Sequence, residues 1–295
     1  MKNASFDEVS SVQRRTVLKA ALRWGTGGLG LWHSGAGAGA GAAEDDFTSL
    51  LSTLQTNPEL AAQIRSGAER EYGVRAGLER APIKASKSLT PISKGASDLI
   101  IACEVTSKTV YNKRYQSPIW PKGESGVTIG IGYDIGYVSP LRLKSDWMPY
   151  IGADHIATLT PACGHKGTAA ATFIKDMRVV KIGWEDARRQ FFEQVSPRYV
   201  GETEAALPNT AKLNDDMLGA LVSLTYNRGA SYGLKKPRYA QMRAIKSHMQ
   251  SGQFEKIPDE IRAMKWIWKS NPDLRGLLLR RDAEAALFEL GLRSR

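Results

Sequence analysis

Apolar residues recur at steps of three and four positions in several parts of the chain, and this spacing predicts amphipathic helices. The clearest series begins at Ile92 and passes through Leu99 and Cys103. It predicts a helix with one buried face that carries Glu104 at its C-terminal end. Thr90-Pro91 lies just before the series, and these residue types favour a helix start.

Two further regions have helical character. Residues 47–89 are helix-prone but poor in large apolar residues, which predicts one or two helices followed by a linker. Over residues 211–228, leucines and a methionine share one stripe, and Asn227-Arg-Gly229 gives the C-cap signal of a helix.

Between Val110 and Tyr137 the pattern changes to short strands and turns. Apolar residues alternate with small or polar ones at Val127, Ile129, Ile131 and Tyr133, which predicts a strand. Glycines at positions 126, 130, 132 and 136 thin this strand on one face. A ligand or a second backbone segment can therefore approach it closely; a purely structural, tight β-hairpin is the alternative.

The first 43 residues have the features of an export signal. The segment Ser11-Val-Gln-Arg14-Arg15-Thr-Val-Leu18-Lys19 resembles a twin-arginine motif, and a weakly hydrophobic stretch and a Gly-Ala run follow it. We expect residues 1–43 to be a twin-arginine signal peptide with a Gly/Ala linker, and the protein to be periplasmic or secreted. A basic disordered tail is the alternative, and the stretch is too short and too interrupted for stable membrane insertion.

The chain carries 41 basic and 30 acidic residues, a formal net charge of +11. This charge predicts attraction to a polyanion such as nucleic acid, anionic lipid or an acidic cell-wall polymer, unless it serves only solubility. Two cysteines and four histidines lack zinc-type spacing, so no metal site or cofactor is expected. A Cys103–Cys163 disulfide requires an oxidising compartment; otherwise Cys103 is typical of a small buried hydrophobe.

The position of Glu104 is chemically informative. A carboxylate near a helix C-terminus and among apolar side chains has its charged form disfavoured by the helix dipole and by burial. These are the conditions for a general acid that keeps its proton near neutral pH. A solvated residue at the helix end is the alternative.

Several segments together resemble the phage-type lysozymes, glycoside hydrolases that cleave peptidoglycan. The resemblance begins with Leu99-Ile-Ile-Ala-Cys-Glu104, Tyr111 and Thr128-Ile-Gly-Ile-Gly132. Later segments then follow in the order of that family's amphipathic, central and closing helices, at residues 184–194, 217–229 and 276–288. The resemblance extends over residues 90–291, and the shared order of these motifs makes it specific.

This resemblance implies an α+β, lysozyme-like fold, in which a mostly helical domain carries a small antiparallel β-sheet beside the active-site cleft. It implies a muramidase that cleaves the β-1,4 bond between N-acetylmuramic acid and N-acetylglucosamine by general acid/base catalysis. The expected domains are a helical N-terminal extension and linker over residues 44–89 and a catalytic domain over residues 90–295.

The second catalytic carboxylate departs from the commonest pattern of the family. That pattern has Glu, then Asp, then Thr, but no aspartate lies between Glu104 and Thr128. Glu124 and Asp134 are the two candidates. The order Glu, Thr, Asp is similar to the pesticin-like branch of the superfamily, and this resemblance implies that Asp134 is catalytic while Thr128 positions the attacking water.

Four further residues are candidates for substrate binding: Tyr111, Tyr133, Tyr226 and Asn227. The last two lie at the end of the predicted central helix, where a polar group can hold an N-acetyl sugar. Capping and core packing are the alternative roles for this pair.

Two other classes of function stay open. A lytic transglycosylase needs the acid but no water-directing carboxylate, whereas a non-catalytic protein that binds the cell wall or nucleic acid would use only the positive charge. Export and the lack of recognition-motif spacing argue against nucleic acid. We expect a monomer whose partner is peptidoglycan, with an inhibitor or immunity protein as a further partner.

Overall fold

The computed structural model of the protein describes residues 37–76 and 85–295. The predicted export signal falls mainly on residues 1–36, outside this described part, while residues 37–43 form the start of the first helix. In chain order the helices are α1 (Gly37–Thr56), α2 (Pro58–Ala76), α3 (Lys94–Val105), α4 (Lys108–Arg114), α5 (Pro140–Leu159), α6 (Thr168–Ala171), α7 (Trp184–Gln190), α8 (Ser196–Ala206), α9 (Asp215–Arg228), α10 (Ala240–Ser251), α11 (Ile257–Ala263) and α12 (Arg275–Arg293). A π-helical segment, Phe191–Val195, joins α7 to α8.

The sheet is a two-stranded antiparallel hairpin of β1 (Thr128–Ile129) and β2 (Tyr133–Asp134). Thr128 pairs with Asp134 in its register. The alternating pattern had predicted one longer strand, but the chain reverses within it. Gly130 and Gly132 have φ values of +56° and +69°, which L residues with a Cβ rarely adopt and which allow the turn. The predicted α+β fold, mostly helical with one small antiparallel sheet, is confirmed and is lysozyme-like.

Helix α3 confirms the buried face that the apolar spacing predicts, although it begins later than Thr90-Pro91. Its N-cap is Ser93, whose hydroxyl accepts a hydrogen bond from the N–H of Ala96. This hydroxyl satisfies one of the free N–H groups of the first turn, and the helix therefore starts here. Leu99 and Cys103 are fully buried, and Glu104 lies in the last turn.

The apolar core consists of two clusters with α3 and α9 between them. One cluster combines α1, α2 and the C-terminal helices, and the other combines the hairpin with α5 and α7. Leu99 of α3 packs in the first cluster, and Ile100 packs in the second. In α9, Leu221 lies in the first cluster and Val222 in the second. Helix α9 is therefore buried all round from Met217 onward, whereas the sequence predicts a single apolar stripe.

Both cysteines are free in the structure. Cys103 is fully buried in the first cluster and Cys163 lies against the second, so the disulfide considered above is not formed. Burial raises the pKa of the Cys103 thiol to about 12, as expected for a small hydrophobe. Within residues 37–76 and 85–295, no helix has both the length and the hydropathy needed to span a membrane.

Candidate active site

The turn of the hairpin lies directly against Glu104. A Cβ added to Gly132 would lie 2.7 Å from Oε2 of Glu104 and 3.0 Å from the hydroxyl of Tyr226. Only glycine permits this approach, and its positive φ independently favours glycine. The glycine-rich strand noted in the sequence therefore places its backbone against the candidate acid.

Glu104 is 7% exposed and is held through both its carboxylate and its backbone. Arg280 of α12 donates from Nη1 to Oε1 of Glu104 at 3.2 Å. Arg65 of α2 donates from Nη1 to the Glu104 carbonyl oxygen. The candidate acid thus lies between two guanidinium groups, neither of which the sequence analysis singled out.

Arg280 belongs to a buried ionic network that joins α9 and α12. Its Nε donates to Glu284 Oε1 at 3.0 Å, and its Nη2 donates to the Ser223 carbonyl oxygen at 2.9 Å. Arg281 donates from Nη2 to Glu284 at 2.9 Å. Burial lowers the pKa of Arg281 to about 10, and the nearby Glu284 carboxylate opposes this effect. Both arginines and Glu284 are fully buried, so each charge depends on its partners.

Asp134 ends β2, and the backbone of two glycines holds its carboxylate. The Gly126 N–H donates to both carboxylate oxygens, at 3.1 and 3.0 Å, and the Gly136 N–H donates to Oδ1 at 2.8 Å. A Cβ on Gly126 would collide with this carboxylate and with Gly136. Burial raises the pKa of Asp134 to about 6, although the two backbone hydrogen bonds and the charge of Lys166 act in the opposite direction.

Asp134 lines a cleft of about 480 Å³ beside the hairpin. Gly132, Tyr133 and Tyr226 also line it, as do residues of α8. A second, much smaller hollow of about 10 Å³ is lined by Glu104, Thr128 and Gly132, with Arg65 and Tyr115. The structure therefore brings Glu104 and Thr128 together and places Asp134 in the neighbouring cleft; Gly132 borders both.

One wall of the cleft carries two arginines that share a buried acid. Arg142 donates from Nε to Oδ2 of Asp146 at 2.9 Å, and Arg198 donates to the same oxygen. Tyr133 donates its hydroxyl to this oxygen at 2.7 Å. Glu202 also lines the cleft, so its wall carries charges of both signs.

The four candidates for substrate binding divide into two pairs. Tyr133 and Tyr226 line the cleft. Tyr111 is fully buried and donates its hydroxyl to the Ile182 carbonyl oxygen at 3.1 Å, so it offers no surface to a sugar. Asn227 is 2% exposed, and its Oδ1 accepts a hydrogen bond from Arg281. We therefore do not retain Tyr111 and Asn227 as substrate contacts.

The residues that sequence reasoning missed are mostly arginines whose partners lie far away in the chain. Arg280 and Glu284 could have been recognised in the sequence, because they are two opposite charges four positions apart among the apolar residues of α12. Such a pair indicates a buried ionic contact. No comparable local pattern distinguishes Arg65, Arg142 or Arg198 from surface arginines.

Replacing Gly132 by alanine should weaken both stability and catalysis. We expect a loss of about 1–3 kcal/mol from the positive φ, and roughly a tenfold fall in kcat because the new methyl group displaces the Glu104 carboxylate. Urea unfolding and a peptidoglycan digestion assay measure the two effects. The control is Gly252→Ala, where φ is +73° but nothing lies within 4 Å of the added Cβ. It should lose stability but keep its activity, and an equal loss of activity in both variants would contradict the expected contact.

Comparison with known proteins gives one family match. The phage lysozyme family model matches residues 149–284. No curated protein matches the chain. The matched span begins after Asp134, so the family model does not include Glu104, Thr128 or Asp134. Together with the fold, the match points to a lysozyme-like glycosidase that acts on the cell wall and supports a place for the chain in the phage-type lysozyme superfamily.

Proposed function

We propose that the protein is a muramidase that hydrolyses the β-1,4 bond between N-acetylmuramic acid and N-acetylglucosamine in peptidoglycan. The observation that carries this proposal is a pair of carboxylates in two hollows that Gly132 borders: Glu104 lies 2.7 Å from where a Cβ of Gly132 would be, and Asp134 lines the larger cleft. Glycoside hydrolysis requires two carboxyl groups in different environments, one to give a proton and one to act on water or on the developing positive charge.

In this mechanism Glu104 is the general acid. It donates its proton to the glycosidic oxygen while the bond from that oxygen to the sugar C1 breaks. Asp134 takes a proton from the attacking water or stabilises the oxocarbenium-like centre, and the Thr128 hydroxyl orients the water. The Glu, Thr, Asp order resembles the pesticin-like branch, and we favour inversion at C1 for the same reason.

Asp134 is a better second carboxylate than Glu124. Glu124 is exposed and lies outside both hollows, whereas Asp134 lines the cleft. Burial raises the pKa of Asp134 to about 6, so the group is ionised at neutral pH and close to the range in which a base works efficiently.

The charge of the protein suits this substrate. Peptidoglycan stem peptides and the polymers attached to the wall carry carboxylates and phosphates, and the cleft offers Arg142 and Arg198. Without the expected signal segment, residues 1–43, the net charge falls from +11 to +8, because 36 basic and 28 acidic residues are left; this charge raises the rate of encounter with such a polymer more than it sets specificity. We further propose export by the twin-arginine pathway, a catalytic domain over residues 90–295 and action as a monomer, with an inhibitor or immunity protein as a natural partner.

A lytic transglycosylase is the second candidate function. Two observations favour it: Glu104 and Asp134 line different hollows, and the Asp134 carboxylate already accepts hydrogen bonds from two backbone N–H groups. An enzyme of this kind uses its acid and lets the substrate's own hydroxyl attack, so it would need no second carboxylate.

Digestion of purified peptidoglycan followed by mass analysis of the glycan ends tests the proposal. A muramidase leaves reducing N-acetylmuramic acid ends, because one water is added per bond cleaved. A transglycosylase leaves 1,6-anhydro ends, which are lighter by one water molecule. Anhydro ends alone would replace the first proposal with the second, and an undigested polymer that retains the protein would point to wall binding without catalysis.

A further inference from the structure

We propose that Arg65 of helix α2 is a positioning residue for Glu104, and hence that α2, although it lies in the N-terminal extension, supports the active site of the catalytic domain. The proposal rests on the proposed function in assigning catalysis to Glu104. Arg65 lies 39 positions before Glu104 and far outside the span that the family model matches. The proposal therefore assigns a role in the reaction to the segment of residues 44–89, for which the sequence predicts helices but no function.

Arg65 joins α2 to the ends of two other helices. Its Nη1 donates to the Glu104 carbonyl oxygen at the end of α3, and its Nη2 donates to the Tyr115 hydroxyl at 2.6 Å. Tyr115 is the C-cap residue of α4, and the Arg65 guanidinium carbon lies 4.8 Å from the centre of its ring. A planar group that binds two oxygens and packs on a ring has little freedom to move.

The end of α3 needs such a support from outside. The last four carbonyl groups of a helix lack partners within it, and Glu104 contributes one of them. A cation at this end is favourable because it interacts with the helix dipole. The next residues also depart from regular geometry: Thr106 has φ +68°, which is strained for a residue with a Cβ, and its buried hydroxyl has no hydrogen-bond partner.

Two cations thus fix different parts of the same residue. Arg280 binds the carboxylate of Glu104, whereas Arg65 binds its carbonyl oxygen and lines the hollow that Glu104 shares with Thr128. Removing the Arg65 side chain leaves the hydrogen bond between Arg280 and the Glu104 carboxylate in place. It also removes the hydrogen bond that holds the Glu104 backbone, which orients this carboxylate. A displacement of about 1 Å at a catalytic group can lower the rate by about 10²-fold.

Helix α2 is anchored firmly enough to serve this purpose. Ile64 is fully buried in the first core cluster, and Gln63 accepts a hydrogen bond from the Gly276 N–H at 2.8 Å. Gly276 packs against the Leu60 carbonyl, so α2 and α12 are in close contact. Helix α12 carries Arg280 and α2 carries Arg65, so this pair of helices places both cations against Glu104.

The test compares Arg65→Ala with Gln63→Ala. Arg65→Ala loses two hydrogen bonds and the packing on Tyr115, whereas Gln63→Ala loses one hydrogen bond between α2 and α12, and only the first variant touches the Glu104 backbone. We expect Arg65→Ala to lower kcat on peptidoglycan about tenfold with KM nearly unchanged, and Gln63→Ala to keep kcat. Arg65→Lys should fall between, because one ammonium group cannot bind both oxygens and pack flat on Tyr115.

Hydrogen exchange of the backbone amides over residues 104–107 gives a readout that needs no activity. It should be faster in Arg65→Ala and unchanged in Gln63→Ala. An Arg65→Ala protein with the kcat and exchange of the wild type would overturn the inference, as would equal losses of kcat in the two alanine variants. If Arg65→Ala does not fold, Arg65→Lys decides in the same way. A wild type that releases no new glycan ends refutes the muramidase, and the exchange data then judge the Arg65 contact separately.

Discussion

A glutamine at position 104 is expected to lower kcat on peptidoglycan about 10³-fold, the typical contribution of a general acid. Glutamine has nearly the shape of glutamate and can still accept the hydrogen bond from Arg280, but it has no proton to give to the leaving oxygen. The release of reducing ends from purified peptidoglycan by Glu104→Gln measures the effect.

Stability must be followed in the same variant, because Glu104 belongs to a buried set of charges. Arg280 and Arg281 are fully buried; Arg280 is paired with Glu104 and Glu284, and Arg281 is paired with Glu284. Removing the Glu104 charge leaves Glu284 as the one acid paired with both arginines in these contacts, so we expect Glu104→Gln to lose about 1–3 kcal/mol of folding free energy. The activity assay is therefore run well below the unfolding temperature.

The matched control for this variant is Glu124→Gln. Glu124 is the other acid near the hairpin, is exposed and has been a rival for the second carboxylate. Its replacement should leave both kcat and stability unchanged. If Glu124→Gln lost activity to the same extent as Glu104→Gln, Glu124 would replace Asp134 as the second catalytic carboxylate.

Elements that depend on local periodicity could be predicted from the sequence. The buried face of α3 and the position of Glu104 at its end follow from apolar residues three and four apart, and the structure confirms them. The hairpin was harder, because alternation over Val127–Tyr133 is the same for one strand as for two. The chain turns because Gly130 and Gly132 adopt positive φ values. Glycine permits such values but does not require them, so the turn could not be predicted from the sequence.

Contacts between distant segments could not be predicted in this way. Asn227 lies at a helix end that was expected to face the substrate, but Arg281, 54 positions later, holds it in the core. Arg280 reaches Glu104 across 176 positions, and Arg65 reaches it across 39. Only the packing of α2, α3 and α12 against one another brings these groups together, and no local pattern encodes that packing.

An asparagine at position 134 is expected to change activity and stability in opposite directions. We expect kcat to fall about 10²-fold, because an amide cannot take a proton from water. The amide oxygen can still accept the hydrogen bonds that the Gly126 and Gly136 N–H groups give to Oδ1. The fold of the hairpin should therefore be kept.

The stability effect follows from the raised pKa of Asp134. Burial raises this pKa from 3.8 to about 6, so the folded protein holds the proton more tightly than the unfolded chain. The resulting stabilisation is fully present below pH 3.8 and is lost as the pH rises through about 6. At pH 7.5 the ionised carboxylate then costs up to about 1–3 kcal/mol, and the neutral amide of Asp134→Asn avoids that cost.

Urea unfolding of wild type and Asp134→Asn at pH 4 and at pH 7.5, with digestion assays over the same range, tests both parts. The variant should be the more stable protein only at the higher pH, and the wild type should lose activity as the pH falls through about 6. A variant that is less stable at pH 7.5 would show that the ionised carboxylate serves mainly to cap the hairpin. A variant with full activity and anhydro products would favour the transglycosylase. Lower activity combined with higher stability would instead show that the fold tolerates a partly buried carboxylate at position 134 because the reaction requires one.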